Sequence, residues 1–247
     1  MDSRQAPILV LLAVSILFST HALPATAEEG ILFERTWGGG DIDWGMGVSV
    51  DRAGNIYQTG FTVSFGGAFI LKFDPAGGLV WQRTWGGDGF AWPWGISPDQ
   101  SGNVYVTGAA NSSGMGEAGV FILKFDSSGN LLWQRAWGGI GGEWGAGLAV
   151  DAAGNAYVGG VMNTTIFWGT GVFLLKLDPA GDLLWQRAWA GDNVNIGGPI
   201  TLDSQGNVYM AGGTGPDTLA SDVFILKFNS AGDLLWQRTW GGDGNEW

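Results

Sequence analysis

Carboxylates and indoles recur together at three places in this chain, Asp41, Asp43 and Trp44; Asp88, Trp92 and Trp94; and Glu143 and Trp144; a fourth place has Asp192 with Asn195. Phe167 and Trp168 add an aromatic pair between the last two groups. Residues of these types can do three kinds of chemistry. An indole face can stack on the apolar face of a sugar while nearby carboxylates and amides take its hydroxyls. Clustered oxygen ligands can hold calcium, although no run matches the EF-hand loop pattern, so no cofactor or metal site is expected. Two carboxylates converging on one bond can hydrolyse a glycoside, and Asp43 with Glu143 is the kind of pair that could supply them.

Other chemistries are closed. Residues 1–27 read as an export signal, with Arg4, an apolar run from Ile8 to Phe18 and the small-residue site Ala25-Thr26-Ala27 ahead of Glu28. The run is shorter than the roughly twenty residues that span a bilayer, so cleavage is expected and the mature chain begins near Glu28. The destination is a secreted, periplasmic or cell-surface one, with no membrane span left after cleavage. His21, the only histidine, leaves with the signal, and there is no cysteine. A Ser-His-Asp or Cys-His mechanism, a histidine-bound haem, a nitrogen and sulfur zinc site and a disulfide are all excluded. Asp2 and Arg4 leave together, so the net charge stays at −12. The four lysines, Lys72, Lys124, Lys176 and Lys227, occupy one repeated position instead of clustering, which argues against a nucleic-acid partner.

The elements that must position the rim residues are copies of one unit. Trp37, Trp85, Trp137, Trp189 and Trp240 close five similar segments and lie 48, 52, 52 and 51 residues apart, a period at which one supersecondary unit is stacked. The units run 37–85, 85–137, 137–189 and 189–240, with the opening of a fifth at 241–247, and together make one repeat domain over 28–247. The third is typical. A strand over 147–150 leads into the turn Asp151 to Gly154 and a strand over 155–159. A second hairpin follows, with strands over 172–177 and 183–189 around the turn Asp178 to Gly181. Both turns place Gly fourth, where a type I turn followed by a bulge needs positive φ. Tyr57, Tyr105, Tyr157 and Tyr209 occur once per unit and nowhere else, which assigns them to packing.

In the second unit, pairing around a bulge at Gly129 sets Phe121, Leu123 and Phe125 on one face with Arg135, Trp133 and Leu131, and Ile122 and Lys124 on the other. Arg135 is then a packing residue with cation–π attraction to tryptophan, on the outermost strand. Four short antiparallel strands per unit, repeated about every 50 residues, predict an all-β fold: a β-propeller of about four four-stranded antiparallel blades. Because a lone fourth strand over 31–37 precedes the first unit while the fourth unit has its own, the ring is expected to be incomplete, with further repeats after residue 247 or other modules of a longer parent chain.

Four motifs support a family resemblance over residues 31–247: Trp-Gly-Gly, Val-Ser-Val-Asp-x-x-Gly-Asn-Ile-Tyr-x-Thr-Gly, Phe-Ile-Leu-Lys-Phe-Asp-x-x-Gly and Leu-Leu-Trp-Gln-Arg. They resemble the repeat of the SBBP-type bacterial and archaeal β-propeller proteins. That resemblance implies a secreted or surface-associated protein, often joined to other modules, and supplies no shared catalytic residues.

Length varies in one loop only. Each closing Trp precedes its turn Asp by 14 residues and each Lys precedes its Trp by 13, whereas the second-to-third strand connection spans 9, 13, 13 and 12 positions. In a meander this loop shares a rim with the Gly-rich entry loop, which makes that rim the expected binding face. Its candidate ligand residues are Asp41, Asp43, Asp88, Trp94, Glu143, Trp168 and Asp192. Trp44, Trp92 and Trp144 recur at one register and are expected to pack between blades. The function expected is a noncatalytic binding or interaction scaffold for an extracellular glycan or protein. A carbohydrate-active enzyme using rim carboxylates and a purely structural spacer array are the alternatives.

Overall fold

The structure, a computed structural model, describes residues 34–65, 67–87, 90–111, 119–138, 142–164, 169–190, 194–215 and 222–241. The expected export signal, Asp88, Trp168 and Asp192 lie outside them.

Sixteen strands form four antiparallel meanders. The first blade holds β1 (Asp43–Val50), β2 (Ile56–Thr62), β3 (Gly67–Phe73) and β4 (Leu79–Gly86). The second holds β5 (Phe90–Pro98), β6 (Val104–Asn111), β7 (Gly119–Phe125) and β8 (Leu131–Trp137). The third holds β9 (Trp144–Val150), β10 (Ala156–Thr164), β11 (Gly169–Leu177) and β12 (Leu183–Trp189). The fourth holds β13 (Val194–Leu202), β14 (Val208–Gly215), β15 (Asp222–Phe228) and β16 (Leu234–Trp240). In every sheet the strands pair in chain order, with the first strand innermost: β1 packs on β5, β5 on β9 and β9 on β13. Among the described residues β13 has no comparable packing on β1, so the array is open.

Both hairpin turns follow the predicted chemistry. Gly54, Gly102, Gly154 and Gly206 in the first turn, and Gly77, Gly129, Gly181 and Gly232 in the second, take φ between 77° and 85°. The leading Asp also builds an Asx turn: Asp126 Oδ1 accepts from the Ser128 and Asn130 N–H groups at 2.9 and 2.8 Å, and Asn229 does the same job in the fourth blade.

The core lies between blades. Each sheet is apolar on both faces, so each interface joins the trailing face of one blade to the leading face of the next. Tyr57, Ile70 and Trp81 meet Ile96, Phe121 and Leu123 at the first interface. Tyr105 and Ile122 meet Leu148 and Phe173 at the second, and Tyr157 and Leu174 meet Ile200 and Phe224 at the third. Full burial of one such Ile or Leu contributes roughly 1.5–3 kcal/mol, so these apolar faces carry most of the stability.

Polar clamps fix how one blade sits on the next. Arg83 Nε donates to the Gly129 carbonyl at 2.6 Å and its NH2 to Ser128, while Trp81 Nε1 and Lys72 Nζ donate to the Ser127 carbonyl. Arg135, Trp133 and Lys124 grip the turn at 179–181 in the same way, and Arg187, Trp185 and Lys176 the turn at 230–232. Trp37, Trp85, Trp137 and Trp189 each reach a glutamine of the next outer strand and pack on a phenylalanine of the strand beside it, as Trp137 does with Gln186 at 3.0 Å and Phe173 at 4.4 Å.

Two expectations change. Arg135 stands opposite Ile122, not Phe121, and Trp133 opposite Lys124, because a second bulge between Lys124 and Phe125 shifts the register by one residue. The shift turns both side chains toward the next blade; Arg135 keeps its cation–π contact with Trp133 at 5.4 Å. The segment expected as a lone outer strand, where described from Glu34, belongs to none of the four sheets. It still acts as an outer strand does, since Arg35 Nε donates to the Gly77 carbonyl and Trp37 packs on Phe69 at 4.6 Å and donates to Gln82.

Candidate functional site

The entry loop and the second-to-third strand loop do share one rim. Asp43 pairs with Thr62, the Val63 N–H donates to the Ile42 carbonyl, and the Asp41 N–H donates to Ser64 Oγ at 3.0 Å. The opposite rim, which carries the turns, is occupied by the interblade clamps.

At the variable rim, Trp44, Trp92 and Trp144 stand at the same register near the start of β1, β5 and β9, opposite Phe61, Ala109 and Val161. A close backbone approach seats them. A Cβ on Gly60, Gly108 or Gly160 would land on the carbonyl oxygen of Trp44, Trp92 or Trp144, so the second strand needs glycine there. The carbonyl then leads into a bulge in each inner strand, one residue of which has no partner on the second strand: Met46 in β1, Trp94 in β5 and Ala146 in β9. In the second blade that unpaired residue is an indole, which makes the row continuous. Trp44 meets Trp92 edge-on at 6.0 Å, Trp92 meets Trp94 edge-on at 6.0 Å, and Trp94 stacks on Trp144 at 5.7 Å. Phe90 stacks on Trp92 at 5.3 Å.

The row is both packed and open. Trp44 is 46% exposed and Trp144 54%, while Trp92 and Trp94 between them are half-buried. Among the described residues Trp92 Nε1 is buried without a hydrogen-bond partner. The recurrent tryptophans therefore pack blade on blade, as their register suggests, and still present ring faces to solvent. In the fourth blade Ile196 takes the equivalent register, opposite Gly213, and the repeated indole position is not filled there.

The carboxylates are placed differently. Asp41 is exposed at the rim. Asp43 Oδ2 accepts from the Gly39 N–H at 2.7 Å, so this residue ties down its own entry loop. Glu143 is only 5% exposed and lies against Gly138, with Oε2 unpartnered among the described residues. No group of three or more potential metal ligands occurs among the described residues. The structure thus gathers Trp94 with Trp44, Trp92 and Trp144, and turns Asp43 and Glu143 toward the loops behind them. The signal that could have singled out the row is Pro93-Trp94-Gly95, an indole at a bulge where the neighbouring units have Met or Ala.

No family model matches the chain. In sequence it is 24% identical over 174 residues, 55% of the chain, to an uncharacterized WD repeat-containing protein of Acanthamoeba polyphaga mimivirus, of which the match covers 12%. In structure it is similar to hydrazine synthase of Kuenenia stuttgartiensis, with TM-score 0.55 and 10% identity over 78% of this chain and 48% of that one. It is also similar to an endo-arabinase of Bacteroides thetaiotaomicron, with TM-score 0.50 and 15% identity over 81% of each chain. A protein of unknown function from Dyadobacter fermentans matches with TM-score 0.51 and 13% identity over 79% of this chain and 69% of that one. The chain spans about half of the hydrazine synthase chain and a small part of the viral protein. At these identities the likeness is one of fold: this is an all-β, β-propeller-like repeat protein of four four-stranded antiparallel sheets, with propeller proteins as its structural neighbours.

Proposed function

We propose that the protein is a noncatalytic binding scaffold of the SBBP-type repeat class, exported to the cell surface or beyond, and that the aromatic row on its variable rim binds an extracellular glycan. The observation that carries this reading is the run Trp44, Trp92, Trp94 and Trp144, continuous across three blades and exposed at both ends. An extended saccharide can lie along the row, with the exposed rings of Trp44 and Trp144 covering apolar sugar faces at its two ends. Asp41 supplies an exposed oxygen acceptor beside it. The signal-like pattern read in residues 1–27 and the repeat resemblance support the location. A noncatalytic role fits the inward-turned Asp43 and Glu143, which leave no described pair of carboxylates facing one bond.

The test is a glycan array followed by titration calorimetry, with the wild type and Trp144→Ala. Binding of an oligosaccharide that weakens at least tenfold in the variant, with the melting temperature held within a few degrees, is the expected result. A wild type that binds no glycan overturns the reading.

A further inference from the structure

We propose that the ligand of the aromatic rim is cationic, a saccharide chain whose sugars carry free amino groups; this rests on the glycan reading above and names the class of glycan. The observation behind it is a separation of charge along the chain. The segments that lead into first strands or join second strands to third strands are 38–43, 63–66, 87–89, 112–118, 138–143, 165–168, 190–193 and 216–222, and they hold eight acidic residues and no lysine or arginine. Over the rest of residues 34–241, ten acidic residues are matched by ten lysines and arginines. The net negative charge of this span therefore belongs to the segments of the rim that carries Trp44, Trp92, Trp94 and Trp144.

The interblade clamps account for where the cations are. Arg83, Arg135 and Arg187 donate to turn carbonyls, as do Lys72, Lys124 and Lys176. The ion pairs of Arg135 with Asp182 and of Lys227 with Asp203 lie at the turn rim as well. At the variable rim the carboxylates lack such partners. Glu143, directly before Trp144, is 5% exposed with Oε2 unpartnered among the described residues, and the buried Oδ1 of Asp43, directly before Trp44, is unpartnered too. Asp41 is exposed beside them. An excess of one sign on a protein wall draws the opposite charge over roughly a Debye length, about 10 Å at 0.1 M salt.

The indoles select the same sign. The face of an indole is the negative end of its quadrupole, and tryptophan is the best aromatic partner for an ammonium group. Trp44 and Trp144 keep about half of their surface open at the two ends of the row. An amino sugar offers both features that this rim can use, an apolar ring face for stacking and an ammonium for the indole faces and carboxylates. A neutral sugar gains the stacking alone, and a uronate is repelled.

Titration calorimetry tests this with oligomers of equal length, β-1,4-linked glucosamine and its N-acetylated form, at about pH 5.5, where carboxylates are ionised and amines protonated. At about 0.05 M salt the glucosamine oligomer is expected to bind at least tenfold tighter than the acetylated one, and at about 0.5 M most of that preference should vanish. Asp41→Lys should weaken the glucosamine oligomer at least threefold and the acetylated one less, with the melting temperature held within a few degrees. An acetylated oligomer that binds as tightly or tighter, or a preference that salt does not reduce, overturns this inference and leaves the glycan reading standing. Glucosamine binding unaffected by Trp144→Ala would lie away from the row and overturn it as well. A wild type that binds neither oligomer nor any glycan of the array overturns both readings, and binding of oligolysine in that case would assign the rim to a basic peptide.

Discussion

Trp81, Trp133 and Trp236 hold one position in the first, second and fourth units and differ in what covers them. Trp81 is buried and donates to the Ser127 carbonyl at 3.0 Å, Trp133 is half-buried with the same bond to Pro179, and Trp236 lies on the open face. Truncating a well-buried tryptophan costs about 3–5 kcal/mol, because the cavity cannot fully collapse. Trp81→Ala should therefore lower stability by an amount in that range, Trp133→Ala by less and Trp236→Ala least. Urea denaturation of the three variants checks the order; equal midpoints would mean that neighbouring blades do not set the cost. The repeated types were readable at once, since a residue used once per unit has one structural job. Their ranking was not, because burial depends on whether a next blade is present and on which of its side chains lie against the ring.

At the scale of the element, every Asx turn but the one led by Asn229 has an aspartate as its side-chain acceptor. The Asn130 backbone N–H, then its side-chain amide, hold Asp126 below the ordinary carboxylate range. At Asp203 the Asn207 side chain does most, bringing the carboxyl down to about 2. Burial of Asp51 opposes its ionisation, yet hydrogen bonds from Asn55, Tyr57 and Ala53 together outweigh it. These are depressed acids, so the stability they supply is present above the ordinary value of about 3.8 and is lost as pH falls through the folded value. Stability should fall between about pH 4 and 2, and Asp203→Asn should flatten that fall by losing at neutral pH the stability that the carboxylate supplies there. Asn229, which accepts from the Ala231 and Asp233 N–H groups, shows that an amide can hold the turn. Asp203→Ala, lacking the acceptor, should lower the urea midpoint at neutral pH as well. An unchanged midpoint in the alanine variant would sink this account. The turns themselves were legible from Asp-x-x-Gly, whereas the use of their carbonyls by the preceding blade was hidden, because it joins residues about 45 apart.

For the whole molecule, an open array of like units predicts uneven protection. The second and third blades are covered on both sides, the fourth has one uncovered face, and the first has a leading face that is buried over β3, where Trp37 packs on Phe69, and exposed over β1. In a repeat array local stability is close to the sum of a unit and its neighbour interfaces, so the end units open first. Amide exchange should be slowest in β6, β7, β10 and β11 and fastest in β1 and β16. Equal protection of β8 and β16 would show that the array unfolds as one cooperative block instead.

The chain determined by itself what depends on local spacing: the period, the four strands per unit, the glycine turns and the variable rim all follow from residues close in sequence. A register shift of one residue at the bulge between Lys124 and Phe125 lay beyond that reach and turned Trp133 and Arg135 from one face to the other. The aromatic row was likewise decided only by tertiary structure. Trp44, Trp92 and Trp144 lie about 50 residues apart, and only the packing of the inner strands, with Trp94 at its bulge, brings their rings within about 6 Å. The same packing decides which apolar faces are covered, because sequence sets that a blade is apolar on both sides and only the arrangement of blades sets what lies against it.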